Sequence, residues 1–224
     1  LQFDGFLGEK AIASGAEIRC GEALKKIQHQ SKANRDVLVT DKGRYSSDYL
    51  IDASGSLAHV ARLRKGQEGL YRPKDQIPTI YAQVQGKIPD TFDVFIGSVA
   101  PSGYAWIIPK GPNSANVGLG VRAGQLEGNL KQHLQKFCDD LNLEILSWGG
   151  GWIAMGGPVE NMVNGTTLAV GDAAGLVMPS NGGGISQAII SGCFAAEAII
   201  ENIESGADLL EYEHRVKATF SRAL

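Results

Sequence analysis

The first third of the chain changes between helical and strand spacing of its apolar residues. Apolar side chains recur at helical spacing from Phe3 to Ala11, and Gly15 stands where a left-handed cap would end a helix. Segment 22–30 fits a helix and a strand equally well. The other segments predict a helix at 1–14, a strand at 16–19, a hairpin of strands 36–40 and 44–51 around the turn 41–43, and a short helix at 57–64.

The middle of the chain, from residue 77 to residue 160, consists of short apolar runs interrupted by glycine and proline. Such runs are typical of antiparallel strands, and they predict strands at 77–85, 91–98, 103–109, 115–122 and 151–160. Four apolar residues at helical spacing predict one helix over residues 126–137: Leu126, Leu130, Leu134 and Phe137.

The last third predicts a buried strand at 167–170, a glycine-rich loop, and helices at about 184–203 and 208–220. The whole pattern predicts an α/β fold with α+β elements. We expect an interrupted domain, formed by residues 1–74 and 161–224, with an antiparallel-sheet domain inserted at 75–160. The boundary falls at residues 71–74, where the sequence reads Tyr-Arg-Pro-Lys.

The composition is that of a globular protein, because 43% of the 224 residues are hydrophobic and 20% are charged. The 21 basic and 24 acidic residues give a formal net charge of -3 without a long basic run, which argues against nucleic acid as a partner. Cys20, Cys138 and Cys193 lack CxxC spacing and the histidines lack metal-ligand spacing, so we expect no disulfide framework, no metal site and a cytoplasmic protein.

The longest uncharged run, residues 173–196, has the length of a membrane span but contains Pro179, Asn181 and three consecutive glycines. We therefore expect a loop that leads into a helix. The chain opens at Leu1 without a basic and apolar leader, so we expect it to begin inside a longer protein.

The strongest candidate for chemistry is the segment that follows the strand at 167–170. Residues 171–175 read Gly-Asp-Ala-Ala-Gly, so a single carboxylate, Asp172, stands among small residues and suits hydrogen bonds from a polyol. Residues 182–184 are glycines that open a helix starting at Ile185. Its free N–H groups and positive end favour an anionic partner, such as the edge of a reduced flavin.

These residues, with Pro179 and the pair Ser191-Gly192, resemble the second flavin motif of the p-hydroxybenzoate hydroxylase superfamily, and among its branches the geranylgeranyl reductases. The resemblance implies FAD as the cofactor, with Asp172 on the ribityl chain, Pro179 near the isoalloxazine, and the amides of Gly184 and Ile185 at its pyrimidine edge. A glycine-rich turn without a ligand is the alternative.

Residues 51–56, Ile-Asp-Ala-Ser-Gly-Ser, resemble the middle motif of the same family, in which the aspartate lies near the FAD pyrophosphate. Ser54 stands in place of the usual second acid, and such a turn also caps an ordinary helix. The cofactor-binding residues implied by the resemblance are Leu24, Asp52, Gly55, Gly171, Asp172, Ala173, Pro179, Gly182, Gly183, Gly184 and Ile185.

Residues 104–110, Tyr-Ala-Trp-Ile-Ile-Pro-Lys, resemble the Tyr-x-Trp-x-Phe-Pro-Lys signature of geranylgeranyl reductases, with Ile108 in place of phenylalanine. Alternation places Tyr104, Trp106 and Ile108 on one strand face, which suits an apolar prenyl chain. With Pro109, these are the implied substrate-binding residues. An ordinary core strand is the alternative, and flavin-dependent halogenases carry a related motif.

Residues 118–123 fit GxGxxA, as a Rossmann dinucleotide site would. The turn at 110–113 pairs this run with the aromatic strand as a hairpin, so we expect no separate nucleotide-binding unit here.

The resemblance implies an FAD-dependent oxidoreductase that saturates geranylgeranyl chains, on archaeal-type membrane lipids, with ferredoxin or NAD(P)H as electron donor and peripheral membrane contact. We expect the 224-residue chain to be inactive alone, since the GxGxxG half and the family's cysteine motif lie upstream, and no catalytic residue is assigned. The alternatives are a flavin monooxygenase or halogenase acting on an aromatic substrate, an electron-transfer-flavoprotein dehydrogenase-like quinone reductase, and a purely structural piece.

Overall fold

The computed structural model describes residues 2–30, 35–64, 75–122, 124–125 and 128–220. Contacts along the chain group into two units, residues 1–50 and residues 51–224. The domain boundary predicted at residues 71–74 lies outside the described residues.

The first unit contains one helix and a three-stranded antiparallel sheet. Helix α1 (Gln2–Ala13) ends as predicted, with Gly15 in the left-handed region at φ 95°. The strands are β1 (Leu24–Gln30), β2 (Arg35–Thr40) and β3 (Arg44–Ser47), in the order β1-β2-β3. The ambiguous segment 22–30 is therefore a strand, and the predicted hairpin at 41–43 is confirmed.

Two predictions for this region are wrong. Residues 16–19 form no strand; the Ala16 N–H donates to the Ala11 carbonyl at 3.0 Å, which closes the end of α1. The segment 44–51 is not one strand, because β3 ends at Ser47 and a separate strand, β4 (Leu50–Asp52), belongs to another sheet. A run of alternating residues does not by itself specify which sheet it joins.

The second unit is built on a five-stranded antiparallel sheet in the order β6-β7-β8-β5-β9. After a short helix α2 (His59–Leu63), the strands are β5 (Gln76–Gln85), β6 (Asp93–Phe95), β7 (Gly103–Gly111), β8 (Ser114–Val121) and β9 (Glu144–Ala154). Strands β7 and β8 pair from Gly103↔Val121 to Gly111↔Ser114, so the GxGxxA-like run lies in a hairpin, as predicted.

Strand β9 was only partly predicted, since the sequence pattern placed a strand at 151–160 and missed residues 144–150. Its three glycines, 149–151, weaken a strand pattern, yet the fold needs at least one of them. A Cβ at Gly149 would overlap the ring of Tyr81 on the neighbouring strand. The strand ends at Ala154, six residues before the predicted end, and one further hydrogen bond, from Met155 N to the carbonyl of Asp75 at 3.2 Å, continues its contact with the neighbouring chain segment.

One face of this sheet packs against helix α3 (Leu130–Asp140). The buried residues of this core include Val117, Leu119, Leu134, Phe137 and Cys138; burial raises the pKa of the Cys138 thiol to about 11, as for an inert core residue. Alternation directs Tyr104 and Trp106 to the opposite face.

Helix α3 begins later than predicted, at Leu130 rather than at 126, and Leu126 lies outside the described residues. Asn129 adopts an extended conformation, and its side chain accepts a hydrogen bond from Gln132 N at 2.9 Å. An asparagine cap is a stronger start signal than the apolar spacing alone.

The remaining elements form a three-stranded sheet in the order β10-β11-β4, with two helices. Strands β10 (Val163–Asn164) and β11 (Thr167–Ala169) lead to a 3-10 turn (Gly171–Ala174), then α4 (Ile185–Ser205) and α5 (Leu210–Phe220). Strand β10 was not predicted; β11 and both helices were. Within the described residues, no helix combines the length and apolar character needed to cross a membrane.

Replacement of Leu134 by alanine should lower the free energy of unfolding by about 2–5 kcal/mol, because its fully buried side chain (0% exposed) fills the space between α3 and the sheet. Urea unfolding measures the change. Leu141→Ala, at a partly exposed leucine just after the same helix, is the control and should cost far less. Equal losses in both variants would contradict the assignment of this core.

Candidate functional site

The candidate site begins where two neighbouring strands end. Val170 N, just after β11, donates to the carbonyl of Asp52, the last residue of β4, at 3.0 Å. The two sequence motifs, 51–56 and 171–175, are distant in the chain but adjacent in the fold. Asp52 and the turn that carries Asp172 are therefore neighbours in the second unit.

Asp52 is buried with an incomplete set of hydrogen bonds. Asp52 is only 1% exposed, and its Oδ1 accepts a hydrogen bond from Ser54 N at 2.9 Å. Its Oδ2 has no hydrogen-bond partner among the described residues. Buried polar atoms are almost always satisfied, so this oxygen indicates a missing donor.

The turn that follows Asp52 is tied to the start of α2 and also leaves open space. Ser54 Oγ accepts a hydrogen bond at 2.7 Å from the N–H of His59, the first residue of α2, whose N-cap position is Ala58. Gly55 has φ 76°, and a Cβ there would meet no atom within 4 Å. A contact with the helix start and an accessible backbone therefore coexist in this motif.

The turn after β11 is held firmly by the two C-terminal helices. Gly171, at φ 54°, donates its N–H to Ser191 Oγ at 3.0 Å, and a Cβ on it would lie 2.9 Å from the Cβ of Ala188. Tyr212 Oη donates to the carbonyl of Ala169 at 2.5 Å, and burial raises the pKa of this tyrosine. These contacts fix the backbone that presents Asp172.

Asp172 lies beside the start of α4. Its Oδ1 is 2.8 Å from the position that a Cβ on Gly184 would occupy, so only glycine leaves room for the carboxylate here. Burial raises the pKa of Asp172. The side chain of Ile185, the first residue of α4, is 69% exposed, so this helix end is open.

The loop between the turn and α4 folds back on itself. Met178 and the glycines close it: Gly182 N donates to the Met178 carbonyl, and Met178 N to the Gly183 carbonyl, each at 2.8 Å. Gly182 has φ 68°, which favours glycine. Asn181 Oδ1 accepts from Gly183 N at 2.9 Å, while Pro179 is exposed.

This loop and the free face of the sheet enclose a cavity of about 360 Å³. Tyr104 Oη donates to the Asn181 carbonyl and ties the loop to β7; burial raises the pKa of Tyr104, so its hydroxyl stays protonated at neutral pH. The Trp106 ring lies over Gly118, where a Cβ would overlap it. The lining residues are Ile77, Thr79, Ser102, Gly103, Tyr104, Trp106, Gly120, Arg122, Ile153, Met155, Pro179, Ser180 and Gly182.

The structure brings most of the sequence-predicted residues together, with four exceptions. Ile108 shares the face of Trp106 but does not line the cavity, and Pro109 alternates to the face of the core residues. Ala173 is fully buried. Leu24 belongs to the first unit, where it pairs with Thr40 in the sheet.

Several residues of the site were missed by the sequence interpretation. Ser191 was part of the quoted motif, but its contact with Gly171 required the packing of α4. Arg122 follows the last residue of β8, and continued alternation would have placed it with Gly118 and Gly120. Ile153 and Met155 reach the cavity only through the pairing of β9 with β5.

The fold is shared with a reductase-like protein and with flavin-dependent halogenases of known structure. A geranylgeranyl bacteriochlorophyll reductase-like protein from Thermoplasma acidophilum superposes with a TM-score of 0.87 at 26% identity, over 99% of this chain and 60% of that one. A flavin-dependent brominase matches with a TM-score of 0.73 at 18% identity, over 97% of this chain and 58% of that one, a likeness of fold alone.

Sequence comparison narrows the class to one family. Residues 78–151 match the family model described as the geranylgeranyl reductase catalytic domain. Digeranylgeranylglycerophospholipid reductase 2 of Methanothermobacter thermautotrophicus is 36% identical, over 78% of this chain and 47% of its own length. The corresponding reductase of Methanosarcina acetivorans is 32% identical, over 97% and 57%. The chain belongs to the geranylgeranyl reductase family and spans about half the length of these relatives.

Asp172→Asn should stabilise the flavin-free protein at neutral pH. Because the folded-state pKa of Asp172 is raised, the folded protein holds this proton more tightly than the unfolded chain. Stability therefore falls as the pH rises through the ordinary aspartate pKa to the raised value, and asparagine removes that loss. The urea midpoints of variant and wild type should converge near pH 3 and separate at pH 7. With Asp90→Asn, an exposed control, no such separation is expected; a parallel pH profile for Asp172→Asn would refute the argument.

Proposed function

We propose that the protein containing this chain is an FAD-dependent reductase that saturates the double bonds of geranylgeranyl chains on archaeal-type glycerophospholipids. The observation that carries the proposal is the cavity in which Tyr104 and Trp106 meet the loop that holds Pro179 and Gly182. Family membership and the names of the related reductases support the same reaction.

The residues of this chain fit a flavin. Asp172 would accept hydrogen bonds from the ribityl hydroxyls, and the amides of Gly184 and Ile185 would face the pyrimidine edge. The buried, unpartnered Oδ2 of Asp52, together with the open space at Gly55, suits the half of the cofactor that carries the pyrophosphate. Gly171, Ala173 and Gly183 would shape the backbone of the cradle.

When bound and reduced, a flavin would supply the hydride for the double bond, and a proton from the flavin or from solvent would complete the saturation. The residues of this chain would bind the flavin and the prenyl chain, orient them towards each other and keep water out of the cavity. The Trp106 ring, steadied by the hydrogen bond from its Nε1 to Asn116 Oδ1 at 2.8 Å, offers a flat apolar surface to a prenyl chain. Ile108, 36% exposed on the same face, extends this apolar surface beyond the cavity.

Two partners complete the proposal. An electron donor, ferredoxin or NAD(P)H, would reduce the flavin. The second partner is the lipid substrate, which this protein, as a cytoplasmic protein, would reach by peripheral contact with the membrane. A flavin monooxygenase or halogenase is the rival function, which the shared fold of the halogenases favours.

Asp172→Ala should release flavin from the protein that contains this chain. The ribityl hydroxyls would lose charge-assisted hydrogen bonds worth about 1.5–3 kcal/mol, a roughly ten- to hundredfold weaker affinity. Flavin content by absorbance after gel filtration measures it, with Asp90→Ala as the control at an exposed carboxylate. Full retention of flavin by Asp172→Ala would remove this residue from the site.

The reaction is tested by anaerobic turnover of a geranylgeranylated glycerol lipid, with loss of double bonds followed by mass spectrometry. Trp106→Ala should lower kcat/KM for the lipid at least about tenfold, because the indole buries a large apolar area, yet leave reduction of the flavin by a small donor unchanged.

Trp148→Ala is the matched control, since this tryptophan lies on the other side of the sheet under Lys131. Turnover that strictly needs oxygen, or consumption of an aromatic compound without prenyl saturation, would favour the monooxygenase or halogenase and overturn the reductase proposal.

A further inference from the structure

Arg122 is the one charged side chain among the described residues that line the cavity. It directly follows Val121, the end of β8, and lies next to the turn that contains Ser102. Its guanidinium makes no hydrogen bond or ion pair with any residue in the described ranges. The five N–H donors of this side chain are therefore available to a ligand.

The cavity lining combines polar and apolar side chains around Arg122, which is itself exposed. Ser102 lies next to Arg122, just beyond the pair Gly103↔Val121, and no carboxylate among the described lining residues neutralises the cation. Ile77, Trp106 and Ile153 supply apolar surface close by. A cation beside apolar side chains in one cavity fits an amphiphile that carries both an anionic group and an apolar chain.

Arginine selects among anionic groups by its geometry. Its planar guanidinium offers two parallel N–H groups, which match two oxygens of a phosphate and give both strength and orientation. A lysine would supply the same charge without this pairing. The residue type at position 122 therefore favours a phosphate over a diffuse negative charge.

We propose that Arg122 binds the phosphate of a prenylated phosphate ester, whose apolar chain then lies against Trp106 and Tyr104. This inference rests on the proposed function, since it assigns the head-group contact of the same cavity. It makes Arg122 a specificity-determining residue: the phosphate fixes which part of the prenyl chain lies near the loop at 178–184.

The test compares geranylgeranyl monophosphate with the uncharged alcohol geranylgeraniol, by calorimetric titration of the flavin-loaded protein that contains this chain. Wild type should bind the phosphate more tightly. Arg122→Ala should weaken binding of the phosphate about ten- to hundredfold and that of the alcohol less than twofold. Arg122→Lys should recover part of the preference. Lys87→Ala, an exposed cation near the other end of the sheet, should leave both affinities unchanged.

Two further measurements test whether the site recognises the phosphate as part of the prenyl ester. Inorganic phosphate should compete with the ester only at far higher concentration, because it lacks the chain; equal competition would mean a free-phosphate site and would overturn the proposal. The preference of the wild type for the phosphate over the alcohol should also shrink as salt is added, whereas the affinities of Arg122→Ala should not change with salt.

The remaining outcomes separate this proposal from the proposed function. Loss of flavin from Arg122→Ala, equal weakening of both probes, or an unchanged preference for the phosphate would each overturn the head-group contact. Wild type that binds the phosphate through Arg122 but reduces neither probe nor the glycerol lipid would leave the contact standing and overturn the reductase function.

Discussion

The candidate site depends on the close packing of helix α4 against the turn that follows β11. Gly171 permits this approach, because a Cβ would press on Ala188, and its N–H is held by Ser191. The turn is thereby fixed with Asp172 beside Gly184, at the open N-terminal end of α4. Burial raises the pKa of Asp172, so its charged form is unfavourable here, as is typical of groups kept for function rather than for stability.

The sheet contributes the second half of the site through a different constraint, the pairing of aromatic residues with glycines on neighbouring strands. The ring of Trp106 occupies the space beside Gly118 and the ring of Tyr81 the space beside Gly149, both of them positions without a side chain. The other face of the same strands packs on α3. One face is therefore a core and the other an apolar floor, which β7 connects to the loop through the hydrogen bond from Tyr104 to Asn181.

The sequence predicted the parts of this arrangement that are encoded locally. The turn at 41–43, the glycines before α4 and the alternation around Trp106 each act within a few residues, and the structure has the corresponding hairpin, helix and strand. The wrong predictions involve contacts between residues that are distant in the chain, or local signals that compete with the apolar pattern. The predicted strand β9 is too short, because glycines 149–151 resemble a loop until Tyr81 is placed beside one of them. The predicted helix α3 begins too early, because apolar spacing does not reveal the Asn129 cap. The positions of Arg122, Ile153 and Met155 in the cavity follow only from the pairing of distant strands, which no local pattern specifies.

A fold shared by reductases and halogenases does not decide the chemistry, so the side chains of the cavity must. Among the described lining residues, the titratable side chains are those of Tyr104 and Arg122. The Tyr104 hydroxyl is kept protonated by burial and is committed to the Asn181 carbonyl, and an arginine remains a cation at any physiological pH. This part of the lining thus offers no general base for deprotonating a phenol or an alcohol. It offers apolar surface and one cation. These side chains favour the proposed reductase over its rival, because they suit the positioning of an apolar chain and none of them can take a proton from an aromatic substrate.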